Sequence, residues 1–327
     1  MTIRSQITLT MTWAILFAVL IIPILLVVDA KAADIVTTYK DKDGWKLQVS
    51  GKDHYVKGVV WGYTPRGENY NYSLWNKPEE HIKAVLDHEF SLMKKANINS
   101  IRAFSTIPSK WVTYAYEEYG IMTAINPLMG RYGANINGVW TPVTNYSDPV
   151  TRAHLKAEVA EAVKRYKNVP GVLMIALGNE SNYGLEWSAS FEIENLPEGE
   201  QHKEKAKSLY SLYYEVIKQG KEIDSTRLFS IVNGDLQYIE LIKEYVTNLD
   251  VMGVNAYRGI SFETPTASLW KDVDKKLDLP VLFFEFGADT FNSKIMRKIR
   301  APRPVSSEGN GRRCIPRVLV IARKATL

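Results

Sequence analysis

Glu180 and Glu285, 105 positions apart, each stand at the end of an apolar run. The first run is Val172-Leu173-Met174-Ile175-Ala176-Leu177-Gly178-Asn179-Glu180. The second is Val281-Leu282-Phe283-Phe284-Glu285-Phe286-Gly287. Both are continuously apolar rather than alternating, the pattern of strands in a parallel sheet covered on both faces. A charge where such a strand emerges is costly to desolvate unless it is paired or used. Two carboxylates on separate strands are the minimum equipment for cleaving a glycosidic bond with retention, one moving a proton and one attacking the sugar. For either Glu alone, an ion pair with a nearby Lys or Arg is an equally good reading. Their joint occurrence, with Asn179 directly before Glu180, favours the chemistry.

The elements that must hold these groups follow from periodicity. Residues 45–58 alternate around Ser50-Gly51-Lys52-Asp53 and predict a β-hairpin. Buried strands are expected at 59–63, 99–104, 121–125, 172–180, 228–232, 251–255 and 281–285. Helices are expected at 78–96, 111–119, 148–166, 202–223 and 236–245, and 126–148 reads as a long polar and aromatic loop. Helix 78–96 places Ile82, Val85, Leu86, Phe90, Leu92 and Met93 on one stripe. Seven strands spaced at roughly 30 residues with helical crossovers favour a (β/α)8 TIM barrel over an open sheet. No GxGxxG follows the first strand, which weighs against a dinucleotide fold. In such a barrel functional residues sit at the C-terminal strand ends, here Arg102, Asn179, Glu180, Asn255, Tyr257 and Glu285.

Composition bounds the partners. The chain has 327 residues, 46% apolar and 24% charged, enough for one large domain. Its net charge of +5 is uneven. Residues 291–327 hold ten Lys and Arg against Glu308 alone, a net +9, so residues 1–290 carry −4. A mildly acidic body argues against nucleic-acid binding. Eight Trp and 18 Tyr suit a site that stacks on sugar faces. The loop residues Trp75, Trp140 and Trp187 are candidates for that role, or else loop anchors. The lone Cys314 excludes an intrachain disulfide and a Cys-based metal site. The histidines (His54, His81, His88, His154, His202) show no helical metal-pair spacing. Neither a catalytic metal nor a cofactor is expected.

The ends differ from the body. Residues 7–28 are free of charge and precede Ala30-Lys31-Ala32, which fits a small-x-small cleavage site. Residues 1–32 therefore read as a signal peptide, with membrane attachment by an uncleaved anchor as the alternative. Either places the body outside the cytoplasm, periplasmic or secreted. The expected division is a hairpin over 33–55, a barrel over 56–292 and an atypical basic tail over 293–327. The composition break near Asn292 suggests a tail foreign to the barrel, for example through a frame change. Strand eight is then missing or replaced from the tail, with residues 317–322 as one strand-competent run.

On Gly178-Asn179-Glu180-Ser181, Asn255-Ala256-Tyr257, Phe284-Glu285-Phe286-Gly287 and Ile101-Arg102, the chain resembles clan A glycoside hydrolases over about residues 55–292. Within the clan it is most similar to the family 2 catalytic barrel, and it also resembles β-1,3-glucanosyltransferase barrels. The resemblance implies a retaining β-glycoside hydrolase with Glu180 as acid/base and Glu285 as nucleophile. It further implies that Asn179 holds the sugar 2-hydroxyl, Tyr257 bonds the nucleophile and Arg102 keeps it ionised. The physical requirements agree: a guanidinium favours the anionic nucleophile, and apolar burial favours the protonated acid. The expected partner is a β-linked oligo- or polysaccharide. A β-glucanosyltransferase, or a carbohydrate-binding barrel without turnover, are the alternatives.

Overall fold

A computed structural model gives the structure of residues 33–69, 71–187, 190–257 and 276–286, with the backbone of 317–320. Residues 1–32, expected to be a signal peptide or anchor, and the rest of the basic tail lie outside the described residues. Strand β1 (Val36–Asp41) pairs antiparallel with β2 (Gly44–Val49) from Val36↔Val49 to Asp41↔Gly44, and β3 (Lys52–Asp53) adds two residues to β2. The hairpin thus differs from expectation. Residues 45–49 pair mainly upstream, and the chain beyond Asp53 leaves this sheet to enter the barrel. Sequence alternation marked the Ser50-Gly51 turn but not the upstream partner.

The barrel begins with β4 (Lys57–Val60), β5 (Ser100–Arg102) and β6 (Met122–Ile125). A small hairpin, β7 (Ala134–Ile136) and β8 (Val139–Thr141), occupies the segment expected to be loop. Then come β9 (Val172–Leu177), β10 (Phe229–Gly234), β11 (Val251–Ala256) and β12 (Val281–Phe286). These seven barrel strands run parallel in chain order. The eighth place is filled from the tail by β13 (Arg317–Val320), antiparallel to both β12 and β4, and the ring closes. The expected (β/α)8 barrel with a substituted eighth strand is the fold observed.

Helices α1 (Glu79–Lys95), α2 (Ser109–Tyr119), α3 (Pro149–Tyr166), α5 (Glu198–Ile223) and α6 (Ile239–Tyr245) connect the strands, with a one-turn α4 (Ser181–Gly184) after β9. Pro149 stands in the first turn of α3, and the Asp148 side chain accepts from Thr151 N at 2.7 Å, so the helix starts where its cap dictates. On α1 the buried stripe is Ile82, Val85, Leu86 and Phe90. Leu92, expected inward, is exposed.

Two apolar layers hold the barrel. The outer one joins helix faces to strand residues such as Ile101, Val172, Ile175, Ile231 and Met252. The inner one fills the ring with Met122, Met174, Ala176, Val232, Leu282 and Phe284, and Val36, Leu47 and Val56 join it. That layering explains why the strands read as continuous apolar runs: both faces are dry. Gly253 is required where it lies, because a Cβ there would meet Ile231 O at 2.0 Å and the Phe284 ring at 2.6 Å. Gly253→Ala is therefore expected to lower unfolding free energy by about 3 kcal/mol. Urea denaturation checks this, and an unchanged midpoint would refute the close approach.

Inward–outward alternation along β12 places Leu282 and Phe284 inside and Val281 and Phe283 against the helices. Continued regularly, it would aim Glu285 outward. The register with β11 instead shifts between Val254 and Asn255, so that Val254 opposes Phe283 while Asn255 opposes Glu285. One extra residue on β12 reverses the phase. Phe286 now meets Phe283 edge to face at 6.2 Å, on the outer side, and Glu285 turns into the barrel mouth.

Candidate active site

Glu285 is 1% exposed and Arg102, on β5, is 0% exposed. Arg102 Nη1 donates to Glu285 Oε1 at 2.9 Å, and Tyr257 Oη donates to Oε2 at 2.7 Å. Both carboxylate oxygens are thus held. Arg102 uses its whole fork: Nε donates to Asn126 Oδ1 at 2.8 Å and Nη2 to Asn179 Oδ1 at 2.7 Å. Its guanidinium lies 4.6 Å from the Phe104 ring centre and 5.6 Å from that of Phe284. Burial pulls the Arg102 pKa below its ordinary value, while the adjacent Glu285 carboxylate pushes it back up. A guanidinium stays cationic in proteins, so a positive charge faces the Glu285 carboxyl group.

Beyond β9 the chain turns sharply. Gly178 has φ +75°, and a Cβ there would lie 2.3 Å from Tyr213 Oη. Glu180 is itself left-handed, at φ 54° and ψ 35°, a conformation that costs a non-glycine residue about 1 kcal/mol or more. Its amide donates to Val232 O at 2.8 Å, and Asn182 exchanges hydrogen bonds with Gly234, fixing α4 on the end of β10. Glu180 is half-buried. Asn255 Nδ2 donates to its Oε1 at 3.1 Å and reaches Asn179 Oδ1 at 3.3 Å. A continuous polar network therefore runs from one carboxylate through Asn255, Asn179 and Arg102 to the other. Glu180, expected to be buried among apolar groups, is half-buried in this polar network, and the deeper burial falls on Glu285.

The segment after β6 supplies groups that sequence reasoning missed. Asn126 Nδ2 donates to Gly178 O at 2.8 Å, linking Arg102 to the β9 turn. Arg131 Nε donates to Asn179 O at 2.9 Å. Tyr132 Oη accepts from Asn179 Nδ2 at 2.8 Å. Asn126 directly follows the third barrel strand, so the rule that identified Arg102 and Glu285 applied to it equally.

The model of the glycosyl hydrolases family 2 TIM barrel domain matches residues 81–300, two thirds of the chain. The chain belongs to this family. A β-galactosidase of Lactococcus lactis subsp. lactis (strain IL1403) is 29% identical over 157 residues, 45% of this chain and 14% of that one. Among solved structures, a Bacteroides uniformis β-glucuronidase superposes with a TM-score of 0.55 at 15% identity, over 78% of this chain and 27% of that one. A family 2 β-galacturonidase of Eisenbergiella tayi bound to galacturonate gives 0.52 at 15% identity, over 80% and 39%. At that identity the likeness is one of fold. The chain spans about a seventh of the curated relative and under two fifths of these structures. The family 2 resemblance read from the Gly178–Ser181, Asn255–Tyr257 and Phe284–Gly287 motifs is borne out.

Within this family 2 barrel, Arg102, Asn179, Glu180, Asn255, Tyr257 and Glu285 all meet at one mouth. The three tryptophans divide. Trp187 is 55% exposed and covers Arg131, 4.3 Å from its ring centre, so it adjoins the site. Trp140 is 60% exposed on β8, its ring lying against Gly133. Trp75 packs on the core against Trp61, centroids 6.2 Å apart, which fits the anchor role. A cavity of about 170 Å³ lies between residues 103–107, the segment 123–127 and α3, with Asn126 on the side shared with the network. Counter-charge, phenol and amides converge on the carboxylate pair, which makes it the candidate site. Among the described residues, no three His, Cys, Asp or Glu side chains gather as metal ligands.

Proposed function

We propose that this chain hydrolyses β-linked glycosides by double displacement, with Glu285 as nucleophile and Glu180 as acid/base. The observation that carries the reading is the unequal treatment of the two carboxylates. Glu285 is sealed, faces a guanidinium and has both oxygens held. That environment suits a group that must stay anionic and aimed. Glu180 is half-buried and bonded through one oxygen to a neutral amide, which suits a group that exchanges a proton with solvent. In the first step a Glu285 oxygen attacks the anomeric carbon. The bond to the leaving oxygen breaks, and Glu180 gives that oxygen its proton. In the second, Glu180 takes a proton from water, whose oxygen attacks the anomeric carbon and releases Glu285.

Galactosides and glucuronides are the first substrates to try, since the relatives named above carry those activities in their names. The uncharged run at residues 7–28 supports an extracytoplasmic place of action. The test is turnover of 4-nitrophenyl β-galactoside and β-glucuronide, with the first-formed anomer followed by NMR and the enzyme trapped by a 2-deoxy-2-fluoro β-glycoside. We expect a β product and a mass label on the peptide carrying Glu285. An α product, or label on another carboxylate, would sink the mechanism.

A further inference from the structure

Among the described residues, hydrogen-bond direction at the mouth leaves the Tyr132 hydroxyl proton unused. Arg102 has donors only, so the atom of Asn179 facing it must be the carbonyl Oδ1. That fixes the amide's orientation and turns Nδ2 toward Tyr132, 2.8 Å away. An amide nitrogen can only donate, so Tyr132 Oη is the acceptor. The hydroxyl hydrogen of Tyr132 then finds no acceptor among the described residues.

Tyr132 is 55% exposed, yet it is firmly placed. Arg131 braces its ring at 5.2 Å while bonding Asn179 O. The residues before it are pinned. Tyr146 Oη donates to Met129 O at 3.0 Å, and Thr144 Oγ1 donates to Gly130 O at 2.6 Å. Gly130 takes φ +66°, and a Cβ there would meet Thr144 Oγ1 at 2.6 Å. Burial pushes the Tyr146 phenol up to about 12, so it remains a neutral donor at any working pH. The second Nδ2 hydrogen of Asn179 and the hydroxyl of Tyr132 therefore stand as neighbouring donors beside the carboxylate network.

We propose that Tyr132 is a specificity-determining residue that donates to a hydroxyl oxygen of the glycone, adjacent on the ring to the hydroxyl that Asn179 meets. The preferred substrate then carries two neighbouring ring hydroxyls, and loss of either weakens it. The inference rests on the proposed glycosidase reading of the same site.

The experiment is a cycle of Tyr132→Phe against substrate hydroxyls. Wild type and Y132F are assayed on a 4-nitrophenyl β-glycoside and on its 2-deoxy and 3-deoxy analogues. Y132F is expected to lower kcat/KM on the parent by about three- to tenfold. It is expected to leave one deoxy analogue unaffected, because the partner oxygen is already gone. A purely structural role for Tyr132 would lower all three substrates alike, and that result, or no change on the parent, overturns the inference. Wild type without turnover dependent on Glu285 overturns the glycosidase reading itself, a separate outcome visible before any Y132F assay.

Discussion

Glu285→Gln is expected to cut aryl β-glycoside turnover by about a thousandfold or more while the protein stays folded. Both halves follow from the same contacts. Glutamine keeps the shape of the side chain but not the anion that the proposed nucleophile must supply. Its amide oxygen must face Arg102, which can only donate. Its NH2 then faces Tyr257, whose hydroxyl is able to accept as well as donate. The buried site remains bonded, so thermal unfolding and circular dichroism should stay near wild type. Steady-state rates measured alongside the unfolding transition decide the matter. A variant retaining a tenth of the wild-type rate would remove Glu285 from the nucleophile's role.

Arg102→Met should behave in the opposite way, failing first in stability. It strands the Glu285 charge, 1% exposed, without its counter-ion, and removes donors from Asn126 and Asn179. Breaking one side of a buried ion pair costs about 3–5 kcal/mol. The double variant R102M/E285Q removes the stranded charge and should regain part of the loss. Denaturant unfolding of both single variants and the double gives the coupling directly. Simple additivity would show that the pair is not energetically joined. Activity should vanish in both R102M backgrounds, because Arg102 also orients Asn179.

Much of the site was legible because parallel strands bury both faces. A carboxylate ending such a run, as at Glu180 and Glu285, stands out against its surroundings. Strand-end logic also found Arg102 and Asn255. The direction of Glu285 was not legible. Regular alternation along β12 aims it at the helices, and only the register shift opposite Val254 and Asn255 turns it inward. A bulge is a relation between two strands, and one strand's sequence does not carry it. The β7–β8 hairpin was legible and missed: Asn137-Gly138, at φ 52° and 83°, is a strong two-residue turn signal. Tyr132 and Arg131 gave no local signal, since their roles come from Asn179, 47 and 48 positions away.

The reversed eighth strand bears on how such a ring tolerates change. Arg317 lies beside Val60 and Val320 beside Lys57, so the chain enters this place from the mouth and leaves at the base. A barrel edge asks of its last member only matching amides and carbonyls, and those are available in either chain direction. The groups of the site come from β5, β9, β11 and β12 and from the segment after β6. Among the described residues, none of these named groups stands at the eighth place. Among the described residues, the strand that closes the ring and the groups that form the candidate site thus come from different segments of the chain.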